Sequence, residues 1–369
     1  MSEQIQVGVI GTGLAAQYLH LPSLKSHSGA HLSAICGRDR NRAAEMAAKY
    51  EIAAVYTDYR EMIAKAGLDA VVVATPDDLH YPMTMAALEA GLHVLCEKPL
   101  APDAAQARAM YQKAEAARVQ HMVFFTYPWQ PHYRYVHQLL AEGYVGRPWH
   151  CQMSYVGGYG RNPAYGWRFD AQRANGALGD LGSHLIQFAR QYVGEIARVS
   201  AHLATFVARE GPDGQALAPA NDAAVLAVEF ANGAHGTLQV SAVADIAKRG
   251  QEQHLVLYGE TGTLESRTFS GSSEISGARS GSDRSGSDRF ETLQIPDEYW
   301  GDVPRDDFFA IFQRQAVGGR LFVDAIREGK VPDGRMPFPT FYDGLRVQQV
   351  IDAALASHRE GRWVAVEVE

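Results

Sequence analysis

The run IQVGVIGTGLAA, residues 5–16, joins a short apolar stretch to a glycine turn, and a helical pattern then continues to Ser26. Ile5–Ile10 is apolar enough for a strand covered on both faces. Gly11-Thr12-Gly13-Leu14-Ala15-Ala16 reads G-x-G-x-x-A. In such a turn the first glycine permits the tight bend and the second lets the backbone approach a pyrophosphate. The small third residue lets helix and strand pack closely. The N–H groups and dipole at the start of the next helix favour phosphate. A glycine motif alone signals little more than a strand–helix turn. Here strand, turn and helix stand in order and further units follow, so a dinucleotide site on Gly11, Thr12, Gly13, Leu14 and Ala16 is expected.

Working outward, His31–Cys36, Ala70–Ala74, Leu92–Cys96 and His121–Phe125 are apolar runs. Between them lie the helical stretches Asn41–Tyr50, Tyr81–Ala90 and Asp103–Arg118. This alternation predicts an α/β, Rossmann-type, doubly wound parallel sheet over residues 1–124. From residue 125 to 369 the period changes. His150–Val156, Val199–Val207, Ala223–Phe230, Ala234–Ala242 and His254–Tyr258 alternate polar with apolar. That pattern predicts an antiparallel or mixed sheet with unequal faces. The turn Ala231-Asn232-Gly233-Ala234 predicts a hairpin. Ser270–Arg289, rich in Gly, Ser and charge, predicts a mobile loop. Helices Arg305–Glu328 and Phe341–Glu360 follow, split by Met-Pro-Phe-Pro-Thr at 336–340, and Trp363–Val368 reads as a last strand.

The 369 residues suggest two domains, since a domain runs to roughly 150 residues. A hydrophobic fraction of 46% and a charged fraction of 21% exclude a wholly disordered chain. The formal net charge of -8 disfavours nucleic acid as a partner. No apolar run is long enough to span a membrane, and the N-terminus shows no export signal. Cys36, Cys96 and Cys151 each sit in or beside an apolar run, as buried thiols of a cytoplasmic protein do. No Cys/His cluster suggests a metal.

Four further places carry chemistry. After the second strand, where an NAD-selective fold usually offers an acid to the adenosine ribose, the chain reads Cys36-Gly37-Arg38-Asp39. Gly37 would leave room for a 2′-phosphate and Arg38 could clamp it, while Asp39 as a helix N-cap would face amides. NADP(H) is therefore the favoured dinucleotide, with NAD(H) open. Thr75-Pro76-Asp77-Asp78-Leu79-His80 and Glu97-Lys98-Pro99 lie at carboxyl ends of parallel strands, where such sheets bind ligands. A lysine there can move a proton or hydrogen-bond the reacting oxygen. Finally, Gly179-Asp180-Leu181-Gly182-Ser183-His184 opens a helix that places Asp180 and His184 on one face, with Gln187 and Gln191 continuing a polar stripe. The stripe is either a solvated face or an acid/base pair.

In order along the chain, GVIGTGLAA, ATPDDLHYPMTMAALEAGLHVLCEKPLA and GALGDLGSHLIQFARQYVG resemble the Gfo/Idh/MocA family of glucose–fructose oxidoreductase and inositol dehydrogenase relatives. The segments LAVEFANGAHGTLQVS and LVLYGETGTLES also resemble its C-terminal sheet, so the likeness covers nearly the whole chain. The resemblance implies a C-terminal α/β domain over 125–369 with a large, open, mostly antiparallel sheet that binds substrate and supports oligomers, a homodimer or homotetramer. It implies that Lys98, Asp180 and His184 are catalytic. Thr75, Pro76, His80, Glu97 and Lys98 would join the glycine turn and Arg38 around the cofactor. Where many members carry Arg-Phe, this chain has Thr126-Tyr127-Pro128-Trp129-Gln130. Tyr127 and the aromatic segment with Tyr155, Tyr159, Tyr165, Trp167 and Arg168 become candidates to line a carbohydrate pocket or to pack beneath a loop. The expected activity is hydride transfer between a nicotinamide and a secondary alcohol or ketone of a sugar, cyclitol or glycoside. Oxidation–elimination on a glycoside, or a non-catalytic dinucleotide sensor, are the alternatives.

Overall fold

The computed structural model describes residues 4–269, 272–280, 289–331 and 336–367. The chain divides into two compact units, one formed by Met1–Trp129 with Asp302–Leu345 and the other by Gln130–Gly301 with Arg346–Glu369.

In the first unit, β1 (Ile5–Ile10), β2 (Ala30–Cys36), β3 (Ala54–Tyr56), β4 (Ala70–Val73), β5 (His93–Glu97) and β6 (His121–Phe124) form one sheet in the order β3-β2-β1-β4-β5-β6. Every neighbouring pair is parallel. β4 is buried throughout, because helices cover both faces and leave no place for a polar side chain. This is the doubly wound order whose strands reverse direction of progression beside β1, the place where dinucleotides bind.

The sequence expectation put residues 305–328 in the second domain. They belong to the first unit. Ile311, Phe312, Val317, Leu321, Phe322 and Val323 share a core with Val7, Leu24, Phe124 and Trp129. The returning chain is also bonded to β6, with the Val123 N–H donating to Pro339 O (3.0 Å) and Trp129 Nε1 donating to Pro337 O (2.8 Å). The expected long helix is broken into Ile311–Arg314 and Gly319–Glu328, with Gly318 at φ +55° between them.

In the second unit, β7 (Pro148–Gly157), β8 (Ile196–Ala204), β9 (Ala223–Phe230), β10 (His235–Ser241), β11 (Gln251–Gly259), β12 (Gly262–Phe269), β13 (Ser272–Arg279), β14 (Glu291–Thr292) and β15 (Val364–Ala365) form a sheet in the order β14-β13-β12-β11-β7-β10-β9-β8-β15. Only β7 and β10 pair in parallel among these described strands. The hairpin at 231–234 joins β9 to β10.

The expected mobile loop over 270–289 needs correction across 272–279. Those residues are β13, in register with β12 on one side and β14 on the other. Ser and Gly content hid a period-2 pattern in which Ile275 and Gly277 face inward. Gly277 is small because Tyr144 lies on it; an added Cβ would fall 2.6 Å from the Tyr144 hydroxyl. Residues 270–271 and 281–288 lie outside the described residues, as does Val368 of the expected last strand.

Candidate functional site

The first glycine of the turn is tightly held. Gly11 has φ +121°, and its N–H donates to Cys36 O (2.8 Å). A Cβ there would stand 2.0 Å from Ala74 O, so only glycine fits between β1 and β4. Gly13 differs, because a Cβ there would meet no protein atom within 4 Å. The open side of the turn therefore faces outward, with Gly13 and Leu14 exposed, while Ala16 is buried against the sheet. The helix begins with a π-helical stretch, Ala16–His20, before Leu21–Lys25. A cradle that is tight behind and open in front fits a bound pyrophosphate.

Asp39 caps the helix Arg40–Tyr50, accepting from the N–H groups of Asn41 (2.9 Å) and Arg42 (3.2 Å). Its carboxylate is thus spent on the helix start. Arg38 is exposed beside it. Gly37 does not leave the expected space: a Cβ would lie 2.6 Å from Thr12 Cγ2, so the missing side chain makes room for Thr12.

At the ends of β4 and β5 stand Thr75, Pro76, Glu97 and Lys98. His80, expected to touch cofactor, has no exposed surface. Its Nδ1 and Nε2 approach Pro99 O (2.8 Å) and Thr75 O (2.9 Å), so it ties the two loops together from behind. Burial lowers its pKa, but the Cys96 sulfur and the two carbonyls outweigh burial and raise it to about 9. A ring between two carbonyl acceptors is satisfied at both nitrogens only when doubly protonated. Glu97 is held by a partner that sequence reasoning missed. His20 Nε2 lies 2.8 Å from Glu97 Oε1, and the His20 ring meets Phe124 edge-on at 4.5 Å. No local spacing links residues 20 and 97, so nothing in the sequence signalled the pair. The Lys98–Pro99 peptide is cis. Tyr127 is half-buried, with its ring edge-on to Phe308 at 5.8 Å.

In the second unit, Asp180 lies in a π-helical stretch, Leu178–Gly182, that leads into the helix Ser183–Tyr192 bearing His184. Such π turns recur at functional sites. His184 is 6% and Gln187 7% exposed, so this part of the polar stripe is no solvated face. Leu181, Leu185, Phe188 and Tyr192 are buried as the pattern predicts. The helix start is fixed by Asn221, whose backbone carbonyl accepts from Ala177 N and whose Oδ1 accepts from Leu178 N, each at 2.9 Å.

Asp180 Oδ2 accepts a hydrogen bond from the Tyr159 hydroxyl (2.6 Å) and faces Arg168 Nε at 3.3 Å. Arg168 in turn lies over the Trp167 ring at 4.3 Å. The aromatic segment therefore converges on the carboxylate. Tyr155 does not join it as a pocket wall. It is buried, its hydroxyl donates to Gln251 Oε1 (2.6 Å), and its ring packs 6.1 Å from His184. Tyr165 bonds to Asp170 Oδ2 at 3.3 Å, within its own loop.

Residues 5–125 match a family model described as an oxidoreductase family with an NAD-binding Rossmann fold. Residues 133–265 match the GFO/IDH/MocA C-terminal domain model. The chain is 31% identical to an uncharacterized oxidoreductase of Synechocystis, over 99% of this chain and 97% of that protein. It is 29% identical to levoglucosan dehydrogenase of Pseudarthrobacter phenanthrenivorans, over 88% of this chain and 86% of that one. A solved levoglucosan dehydrogenase in complex with NADH and levoglucosan superposes with a TM-score of 0.85 at 26% identity, covering 99% of this chain and 100% of that chain.

Proposed function

Since the chain belongs to the Gfo/Idh/MocA family and is an NAD-binding oxidoreductase, we propose that it oxidises a secondary alcohol of a sugar, cyclitol or glycoside, or reduces the matching ketone. The observation that carries this reading is the Asp180–His184 helix start, where His184 is buried and the half-buried Asp180 carboxylate is gripped by Tyr159 and Arg168. A stripe that were only the wet side of an amphipathic helix would have no cause to be buried and bonded in this way. Levoglucosan, the sugar in the similar solved complex, belongs to the class proposed.

A bound nicotinamide supplies the hydride acceptor or donor. Gly11, Thr12, Gly13, Leu14 and Ala16 would carry the pyrophosphate, and Thr75, Pro76 and Glu97 the nicotinamide half. Lys98 hydrogen-bonds the reacting oxygen and polarises its C–O bond. His184 takes the hydroxyl proton, and Asp180 orients substrate hydroxyls and balances the charge on His184. Trp167 and Arg168 contribute to substrate recognition, and Tyr127 adds an aromatic wall in the first unit. A panel of sugars and cyclitols, assayed at the reduced-nicotinamide absorbance band with NAD and NADP in parallel, tests the reading. Failure of every polyol with both dinucleotides would overturn it.

The phosphorylated dinucleotide is the proposed preference, because Asp39 is committed to its helix and Arg38 stands exposed beside it. Arg38→Ala is expected to weaken NADP(H) binding by about 1.5–3 kcal/mol, the scale of a hydrogen bond to a charged group. NAD(H) binding should change little. Equal weakening of both, or of neither, in a fluorescence titration would show that Arg38 holds no phosphate.

The assembly proposed is a homodimer or homotetramer. Along β9 and β10 alternate residues are buried, while the other face exposes Val225 and carries the His150–Tyr258 ring stack at 4.3 Å. A second copy would cover that face. Sedimentation at micromolar concentration should show a multiple of the chain mass, and a single 40.4 kDa species would refute this. Among the described residues no helix is long and apolar enough to cross a membrane. Cys36, Cys96 and Cys151 are free and buried, and burial pushes the Cys36 and Cys151 thiols up to about 11 and about 12. Such inert thiols accord with the proposed cytoplasmic setting.

A further inference from the structure

Arg209 and Asp222 form an ion pair inside the second unit, with Nη1 2.7 Å from Oδ1 and both side chains almost wholly enclosed. Two charges so deep are costly to desolvate, and apolar residues often serve stability as well. What the pair does shows in its other bonds. Asp222 Oδ2 accepts from the N–H groups of Phe206 (2.7 Å) and Val207 (2.8 Å). Arg209 Nη2 donates to Gly160 O, and the guanidinium lies 3.8 Å from the centroid of the Phe169 ring. One planar side chain thus grips both ends of the segment from Gly160 to Phe169.

The grip leaves little slack. A Cβ on Gly160 would fall 2.7 Å from the Phe169 ring and 3.0 Å from Ala242, and the Gly160 N–H donates to Ala242 O at 2.7 Å. Phe169 O accepts from Ala220 N at 2.9 Å. Beside these anchors stand Tyr159 and Arg168, which both meet the Asp180 carboxylate. The helix start carrying Asp180 hangs on Asn221, the residue next to Asp222. Two consecutive buried residues therefore hold the two parts that must meet.

We infer that Arg209, held by Asp222, is a positioning residue for Asp180: it fixes the segment 159–169 so that Tyr159 and Arg168 engage the carboxylate. The consequence for turnover rests on the reading of Asp180 as a group that acts on substrate. Lysine cannot replace Arg209 here, because a point charge cannot pair with Asp222, reach Gly160 O and stack on Phe169 together.

The test compares the full-length protein with the paired variant Arg209→Gln/Asp222→Asn, which leaves no lone buried charge, and with Tyr159→Phe/Arg168→Gln, which cuts the far end alone. Amide hydrogen exchange should quicken across 158–170 in the Arg209 variant and stay unchanged across 223–230. With a sugar substrate found by the panel, kcat should fall about tenfold to a hundredfold in both variants, the scale of a small misplacement near reacting groups. Dinucleotide affinity should hold. Combining all four changes should cost less than the product of the two effects, because they act in one chain of contacts. Unchanged exchange across 158–170 would overturn the inference. So would faster exchange with wild-type kcat. If the wild-type protein oxidises no polyol at all, the proposed function fails, and exchange still decides whether Arg209 holds the segment.

Discussion

His184→Ala is expected to lower turnover by about 10²–10⁴-fold, the usual worth of general acid–base catalysis, if His184 is the proposed base. The variant should fold, because His184 sits on a helix whose apolar anchors Leu181, Leu185, Phe188 and Tyr192 remain in place. Cofactor affinity should stay close to wild type, since the proposed role of His184 is toward the substrate hydroxyl. Lys98→Met should also impair turnover, because it removes the proposed donor to the reacting oxygen while keeping much of the side chain's length. The double variant should lose less than the product of the two, as groups that act together do. The pH profile of kcat/KM should lose one limb in His184→Ala. Near-normal turnover with an unchanged profile would strip His184 of the base role. Lys98 would inherit it, or the protein would be a dinucleotide sensor on an oxidoreductase fold.

Gly11→Ala and Gly13→Ala should separate two kinds of glycine. At Gly11 the backbone lies at φ +121°, where a side chain costs about 1–3 kcal/mol in strain alone. The added Cβ would also press on Ala74 O at 2.0 Å, and that carbonyl is backbone between β4 and the Thr75–Pro76 loop. The expected result is a fall in thermal stability of several degrees, since each 1 kcal/mol moves Tm by roughly 2–4 °C in a domain of this size. Dinucleotide binding should be lost with it. Gly13→Ala meets no protein atom within 4 Å, so Tm should hold. The methyl group would instead stand where the pyrophosphate approaches, and affinity should drop at least tenfold, about 1.4 kcal/mol. Thermal melts and dinucleotide titrations of both variants decide the matter. Equal behaviour of the two would mean that the turn does not cradle phosphate.

Much of this was legible in the chain. The run from Ile5 to Ala16, the apolar strands ending at Cys36, Ala74 and Cys96, and the helix opening at Asp180 are local patterns. The strands need a run of aliphatics, the turn needs glycine at one conformation, and the cap needs Asp39 two and three residues before the amides it accepts from. Each requirement is met by neighbours in sequence, so each leaves a trace there. The Ser/Gly stretch misled for the same reason: composition reports local flexibility, whereas β13 owes its order to pairing with β12 and to the Tyr144 ring lying on Gly277.

Tertiary structure decided which distant residues meet. His20 reaches Glu97 across 77 positions, and His80 joins two loops whose order in the chain gives no hint of the bridge. Residues 303–326 belong to the first unit because their apolar face completes a core around Phe124 and Trp129, and that face pattern would suit any partner. Asp180 was visible as a candidate, but its grip by Tyr159 and Arg168 was not, nor was Arg209 beneath them. A sequence shows chemical type and near-neighbour spacing. Distance across the fold is set by how buried faces stack, and one spacing pattern is compatible with many such stackings until the chain has folded.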